Sequence, residues 1–412
     1  MKRETTDAPI PKLRPDLEIV PTTYQGQPGY IVRDLLGLIQ KPLLLQGDAL
    51  NLLSLADGKR TVRDLQLLLV RGRGGVFVSA ESIEKQFAEL DRIFLLDSER
   101  YRERKRQLVD AYARLKVREA ALAGQSYPGT KKELERYLDS ILELGQEGSG
   151  DKDGGAVCAL AAPHIDFPIG GKLYGQAYCA VRHLRPQKII VLGTGHGLDE
   201  GYFSLTEKDF ETPLGRAKTD RASAETLRKA GGRAIAPHDL AHRREHSIEF
   251  QVVFLQRLFG ESCCLLPILC GSFTAKLARV SRASEIPGVG GFLRALKAIV
   301  DEAGDRGLVV AGIDFSHIGP KFGHRQRAAS MLLEARQHDQ ALIEACLNGD
   351  AVAFWGASKR VKDEYNVCGF SSLACLLELL PPSRGALLGY DFWQEEATQS
   401  AVSFAAIKFI KI

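Results

Sequence analysis

Three short polar motifs in this 412-residue chain each follow an apolar, strand-like run: APHIDF after 156–162, GTGHG after 188–192, and DFSHIG after 307–313. Side chains at the carboxyl ends of parallel strands converge on one crevice, which is where open α/β sheets bind ligands. The repetition therefore predicts an α/β fold with a largely parallel central sheet. It also predicts that His164, His196, Asp314 and His317 share a site.

The chain is long enough for two or three domains and a full hydrophobic core. No apolar run reaches the eighteen or so residues that a membrane span needs, and MKRETTDAPIPKLRPD has no secretory character. A cytoplasmic protein with no membrane partner is the expectation. A net charge of +4, with no basic stripe interleaved with aromatics, gives no support to a nucleic-acid partner. Most of the eight cysteines lie in apolar segments, and no two are spaced as CxxC. They read as packed thiols rather than a zinc knuckle or a redox pair.

Residues 1–105 read as a small module. Apolar positions recur at helical spacing over 49–55 and 62–69. Thr61 is the expected N-cap of the second stretch, with Asp64 three residues on, and Ser79 or Ser82 starts a third through Ile83, Phe87 and Leu90. Short helices with a β-hairpin predict a small winged-helix-like domain. The charged stretch that follows supplies a helical connector over 106–120. Beyond it, 121–412 form the α/β domain, with GQEGSGDKDGG as a flexible linker inside it and SAVSFAAIKFIKI as a closing strand.

Several side chains carry the candidate chemistry. His164 leaves a strand on a backbone stiffened by Pro163, and the glycines around His196 allow a metal, phosphate or substrate to approach the main chain closely. In REHSIEFQVVFLQ, His246 and Glu249 stand three apart at a helix start, where a carboxylate can fix an imidazole tautomer. HSIE is not HExxH, so a zincin protease is rejected. Cys368 precedes the apolar helix of NVCGFSSLACLLELL, and a helix N-terminus favours thiolate. Phe167, Tyr174, Phe315 and Phe370 either line an apolar or planar ligand or belong to the core. Two readings stay open on these residues: one metal ion held by His164, His196 and Cys368, or a Cys368 nucleophile with a histidine base and no metal.

Eight ordered blocks, from ALAGQSYPGTKKELERYLDSIL through APHIDFPIGGKLYG, VLGTGHG, ETPLGRAKTD, REHSIEFQVVFLQ, DFSHIG and NVCG to QSAVSFAAIKF, resemble the Memo family, called AmmeMemoRadiSam system protein B in bacteria. The resemblance implies the α/β fold shared with class III extradiol dioxygenases, non-haem iron enzymes that open catechol rings. It implies metal ligation by His164, His196 and Cys368, with His246, His317, Asp314 and, less directly, Glu249 lining the pocket as catalytic groups. With a thiolate in the set, Fe(II) is the expected ion, and copper or zinc are alternatives. The family's APHAG block reads APHID here, so Asp166 replaces a small glycine. Residues 1–105 resemble PqqD-like modules, with ADGKRTVRDL the matching stretch. Together these imply a metal-dependent oxidoreductase acting on a small, aromatic molecule; the alternative is a non-catalytic scaffold that binds metal or peptide and works with a radical-SAM partner.

Overall fold

The computed structural model describes residues 8–39, 41–47, 52–72, 78–146 and 156–412. The chain divides into two compact units, Met1–Tyr112 and Ala113–Ile412. Part of the helix expected over 49–55, most of the glycine-rich stretch after the next helix, and most of the expected linker lie outside the described residues.

The smaller unit opens with an antiparallel sheet of β1 (Leu17–Tyr24), β2 (Gln27–Asp34) and β3 (Leu43–Leu45). The hairpin thus precedes the helices Val62–Gly72 and Ala80–Arg92. Both helix starts carry the expected caps. Thr61 Oγ1 accepts from Asp64 N–H at 3.2 Å while Asp64 accepts from Thr61 N–H at 2.9 Å, a reciprocal capping box. Ser79 rather than Ser82 caps the next helix, accepting from Ser82 N–H. Val32, Leu65, Ile83 and Leu96 form the centre of this unit's core. The helix Glu99–Ala113 runs through the 105/106 division expected from sequence.

In the larger unit the strands are β4 (Val117–Arg118), β5 (Val157–Ala162), β6 (Lys188–Thr194), β7 (Phe203–Leu205), β8 (Asp209–Thr212), β9 (Gly215–Ala217), β10 (Cys264–Cys270), β11 (Gly307–Gly312), β12 (His317–Ile318), β13 (Ser383–Glu395) and β14 (Ser400–Lys411). β4, β8 and β9 make a small separate sheet, so 117–118 is strand rather than connector helix. The main sheet runs β12-β14-β5-β11-β6-β10-β7, with β13 paired to β14. Its centre, β5-β11-β6-β10, is parallel, and those strands are buried almost throughout. Strands covered on both faces read as continuous apolar runs, which is why they stand out in the sequence. β14 is an interior strand, antiparallel to β5 and to β13.

Helices cover both faces of the sheet. Lys131–Gln146, Phe167–Val181 and His246–Phe259 pack on one side through Leu138, Tyr178 and Phe254. Val289–Ala303 and Phe370–Leu379 pack on the other through Phe292, Leu296 and Leu373. Among the described residues no helix is long and apolar enough to cross a membrane.

Candidate metal centre

His164, Asp314 and His196 each lie two residues beyond the carboxyl end of a strand, β5, β11 and β6 respectively, and those strands are neighbours. His246 reaches the same place from the first turn of its helix. That approach depends on two glycines, because a Cβ on Gly312 would stand 2.3 Å from the Ser247 carbonyl oxygen and one on Gly193 would stand 2.5 Å from the Ile248 side chain. Only without side chains at the strand ends can the helix start come down onto the sheet. Cys368 closes the crevice from the other side. Gly369 N–H donates to the Asp314 carbonyl at 3.0 Å, and Thr194 Oγ1 donates to the Cys368 carbonyl at 3.3 Å.

His164 and Asp314 form the buried floor, while His196, His246, His317 and Cys368 reach the opening. The rings of His164 and His196 are 5.2 Å apart, those of His164 and His246 also 5.2 Å, and those of His196 and His246 stack at 4.8 Å. Cys368 Sγ is 3.2 Å from His164 Nε2. The ligand atoms of His164, His196 and Cys368 all lie within 4.8 Å of one another. Those of Asp314, His317 and Cys368 do so as well, as do those of His196, Glu245 and His246. His317 Nδ1 sits 3.0 Å from the Phe315 carbonyl, with its ring edge-on to Phe322.

The donor set fits a borderline or soft cation. His164 Nδ1 lies 3.0 Å from the Gly312 carbonyl, which can only accept, so Nδ1 carries the proton and Nε2 remains the donor atom facing sulfur. His196 Nδ1 lies 3.0 Å from Glu245, which fixes the same tautomer. Hydrogen bonds of this kind orient ligating imidazoles and raise their basicity. Nitrogen and sulfur bond to such metals at about 2.0–2.3 Å, a span compatible with donors as close as these.

Burial separates the titrations of the site. Desolvation, reinforced by His196 and His246, holds the His164 imidazole well below the histidine range. Burial lowers His246 against the pull of Glu245, and lowers His317 to about 4. All three are neutral imidazoles at pH 7. Burial also raises the Asp314 carboxyl well above its usual range, outweighing the N–H donors of His164 and Ile165. Glu245 behaves oppositely. Burial pushes its carboxyl up, but His196, His246 and the Ser247 N–H together hold it below the usual carboxylate range.

Two expectations are corrected. Glu249 is not the carboxylate beside the imidazoles. It is fully buried, ion-paired with Arg118, and accepts from Ala121 N–H and Leu122 N–H, both at 3.0 Å, and from the Tyr127 hydroxyl. The carboxylate beside His196 and His246 is Glu245, which touches them at 3.0 Å and 3.2 Å respectively. It is the N-cap of the helix, extended and accepting from Ser247 N–H. Second, the Cys368 thiol is not lowered by the helix start. Burial and then the Asp314 charge raise it well above its ordinary value, and Gly369, not Cys368, caps the helix. Of the two readings of Phe167, Tyr174, Phe315 and Phe370, burial favours the core, each being almost wholly enclosed. Gln251 also went unnoticed in the sequence: its amide donates to the Pro163 carbonyl at 2.9 Å and accepts from Tyr178 OH at 2.7 Å, bracing the turn that carries His164. A glutamine set in the otherwise apolar run 250–255 was the only signal.

The DFSHIG segment is anchored by a further buried carboxylate. Asp339 accepts from Ser316 Oγ at 2.6 Å, Ser403 Oγ at 2.6 Å and Tyr390 OH at 2.7 Å, and burial still raises its pKa to about 6. Its folded value exceeds the unfolded one, so its contribution to stability is complete below about pH 4 and is lost as pH rises through about 6. Two units correspond to about 3 kcal/mol. Urea unfolding at a series of pH values should therefore show wild type losing stability relative to Asp339→Asn across that window. Parallel curves for the two proteins would contradict the assignment.

A family model described as Memo-like protein matches residues 118–408, most of the chain. The chain belongs to the Memo family. The match begins at Arg118, the residue that pairs with Glu249. A MEMO1 family protein of Aquifex aeolicus is 29% identical over 388 residues, covering 92% of this chain and 96% of that protein. One from Thermus thermophilus is 29% identical over 347 residues, covering 83% and 97%. A third, from Nitrosopumilus maritimus, is 28% identical over 304 residues, covering 71% of this chain and 100% of its own length. At 92% coverage, the Aquifex aeolicus alignment necessarily extends into the smaller N-terminal unit. The Nitrosopumilus maritimus protein is matched in full by a stretch about the length of the α/β unit of this Memo protein.

Proposed function

We propose that the crevice is a metal centre in which His164 and His196 through Nε2, and Cys368 through Sγ, hold one Fe(II) ion, with copper or zinc as competitors, and that it carries out oxidoreductase chemistry on a phenolic substrate. The observation that carries this reading is the meeting of two tautomer-fixed imidazoles and a thiol within 4.8 Å. A bound iron ion supplies Lewis acidity and redox chemistry there. The chain's own residues supply proton handling. His246 and His317, neutral at pH 7, are positioned to accept phenolic protons, and Asp314, whose proton affinity burial raises, is suited to return one. Groups whose environments drive their titrations apart are suited to opposite acid and base roles.

The metal-free nucleophile reading receives less support. An activated cysteine needs a thiolate beside an imidazolium, whereas burial raises Cys368 and lowers His164. All eight cysteines are unpaired, which suits a reducing cytoplasm. The test is oxygen uptake by anaerobically iron-loaded protein offered catechol and alkylcatechols. Uptake should fall by about a hundredfold or more in His246→Gln and to the blank in His196→Ala. Stoichiometric iron with no uptake by wild type would instead identify a metal-binding scaffold.

A further inference from the structure

Among the described residues, two phenyl rings touch imidazoles of the crevice. Phe250 stands 5.6 Å from His246 and Phe322 stands 4.8 Å from His317, measured between ring centres and edge-on in both pairs. Phe250 is 1% exposed and belongs to the core. Phe322 is half-buried, as is His317 beside it. With Phe167, Tyr174, Phe315 and Phe370 enclosed, Phe322 is the ring of this group that meets both a crevice imidazole and solvent. His317 in turn places a ligand atom within 4.8 Å of the Cys368 sulfur, so the Phe322 ring is one imidazole removed from the proposed ligand thiol.

The main chain that carries this ring is pinned. Phe322 ends a short 3-10 turn, Pro320–Phe322, between Gly319 at φ +103° and Gly323 at φ +87°, conformations that favour glycine. A Cβ on Gly319 would stand 2.6 Å from Ser400 Cα, so the bare glycine lets the turn lie against the start of β14. Lys321 N–H donates to Ser400 Oγ at 3.0 Å, and the Lys321 ammonium pairs with Glu395 at 3.1 Å. The Asn366 side-chain amide donates to the Phe322 carbonyl at 3.1 Å and to the His317 carbonyl at 3.3 Å. Asn366 lies two residues before Cys368, so this amide ties the turn to the segment that carries the thiol. A wall fixed in advance costs a ligand little ordering entropy.

Resting on the proposed metal centre, we infer that Phe322 is a specificity residue, the wall against which the ring of an aromatic substrate packs while its oxygens bind the metal. Aromatic rings attract one another in offset or edge-to-face contact beyond what burial alone supplies, so a planar ligand gains from this side chain what an aliphatic one does not.

The test uses full-length protein loaded anaerobically with Fe(II) and titrated calorimetrically with benzohydroxamate and acetohydroxamate. Both offer the metal the same pair of oxygens, and they differ in a phenyl against a methyl group. Wild type should bind benzohydroxamate about tenfold more tightly. Phe322→Leu keeps an apolar side chain on the turn, and should lower that affinity ratio by about three- to tenfold while acetohydroxamate affinity stays within about twofold of wild type. Using the ratio removes any general effect of the substitution on folding or metal content. Equal binding of the two by wild type, an unchanged ratio in Phe322→Leu, or an equal loss of both ligands in that variant overturns the inference while leaving the metal centre standing. Failure of both to bind wild type overturns the centre itself, and the inference with it.

Discussion

Replacing either Arg118 or Glu249 with alanine should cost about 3–5 kcal/mol of unfolding free energy, because each change leaves the other charge buried without its partner. Both side chains are essentially inaccessible to solvent. Arg118 also donates to the carbonyls of His242 at 3.0 Å and Glu245 at 2.9 Å, while Glu249 gathers the N–H groups of Ala121 and Leu122. The pair thus fastens the start of the α/β unit to the turn that precedes the His246 helix. A paired replacement by apolar residues of similar volume should cost less than the two alanine changes summed, since no orphaned charge remains. Urea unfolding measures this directly. Single alanine variants within about 1 kcal/mol of wild type would show that the pair is not structural.

Glu245→Gln should weaken metal binding by about 10–100-fold, the usual effect of removing a partner that orients a ligating histidine. The carboxylate holds Nδ1 of His196 protonated, accepts from His196 N–H at 3.0 Å, and caps the helix through Ser247 N–H. Glutamine retains the size and one acceptor but loses the charge that enforces the tautomer. Competition against a chelator of known affinity gives the number. An affinity equal to wild type would mean that Glu245 serves only as a helix cap.

Much of this was legible in the sequence for a physical reason. Strands buried on both faces must be apolar throughout, so β5, β6 and β11 announced themselves, and the polar residues just beyond them had to lie at one end of the sheet. That reasoning placed His164, His196 and Asp314 together. Cys368 was harder, because it sits on a turn whose position depends on a Gly369 N–H reaching the Asp314 carbonyl. Glu249 was misread because helical spacing describes faces but not which side of the helix meets the crevice. Glu245 was missed because it precedes the helix, in extended backbone, where spacing rules of three and four do not apply. The aromatic residues near the motifs were ambiguous for the same reason: adjacency in sequence does not say whether a ring points into the crevice or into the core, and Phe167 and Phe315 point into the core.

The central claim is that two imidazoles and one thiol grasp a single ion. Anaerobic titration with Co(II), followed by absorption, tests it most directly, since a cobalt–thiolate bond produces an intense near-ultraviolet charge-transfer band that nitrogen and oxygen donors do not. Wild type should reach saturation at one equivalent with that band present, and Cys368→Ser should bind more weakly and lack it. No stoichiometric cobalt in wild type, or the same band in Cys368→Ser, would contradict the account.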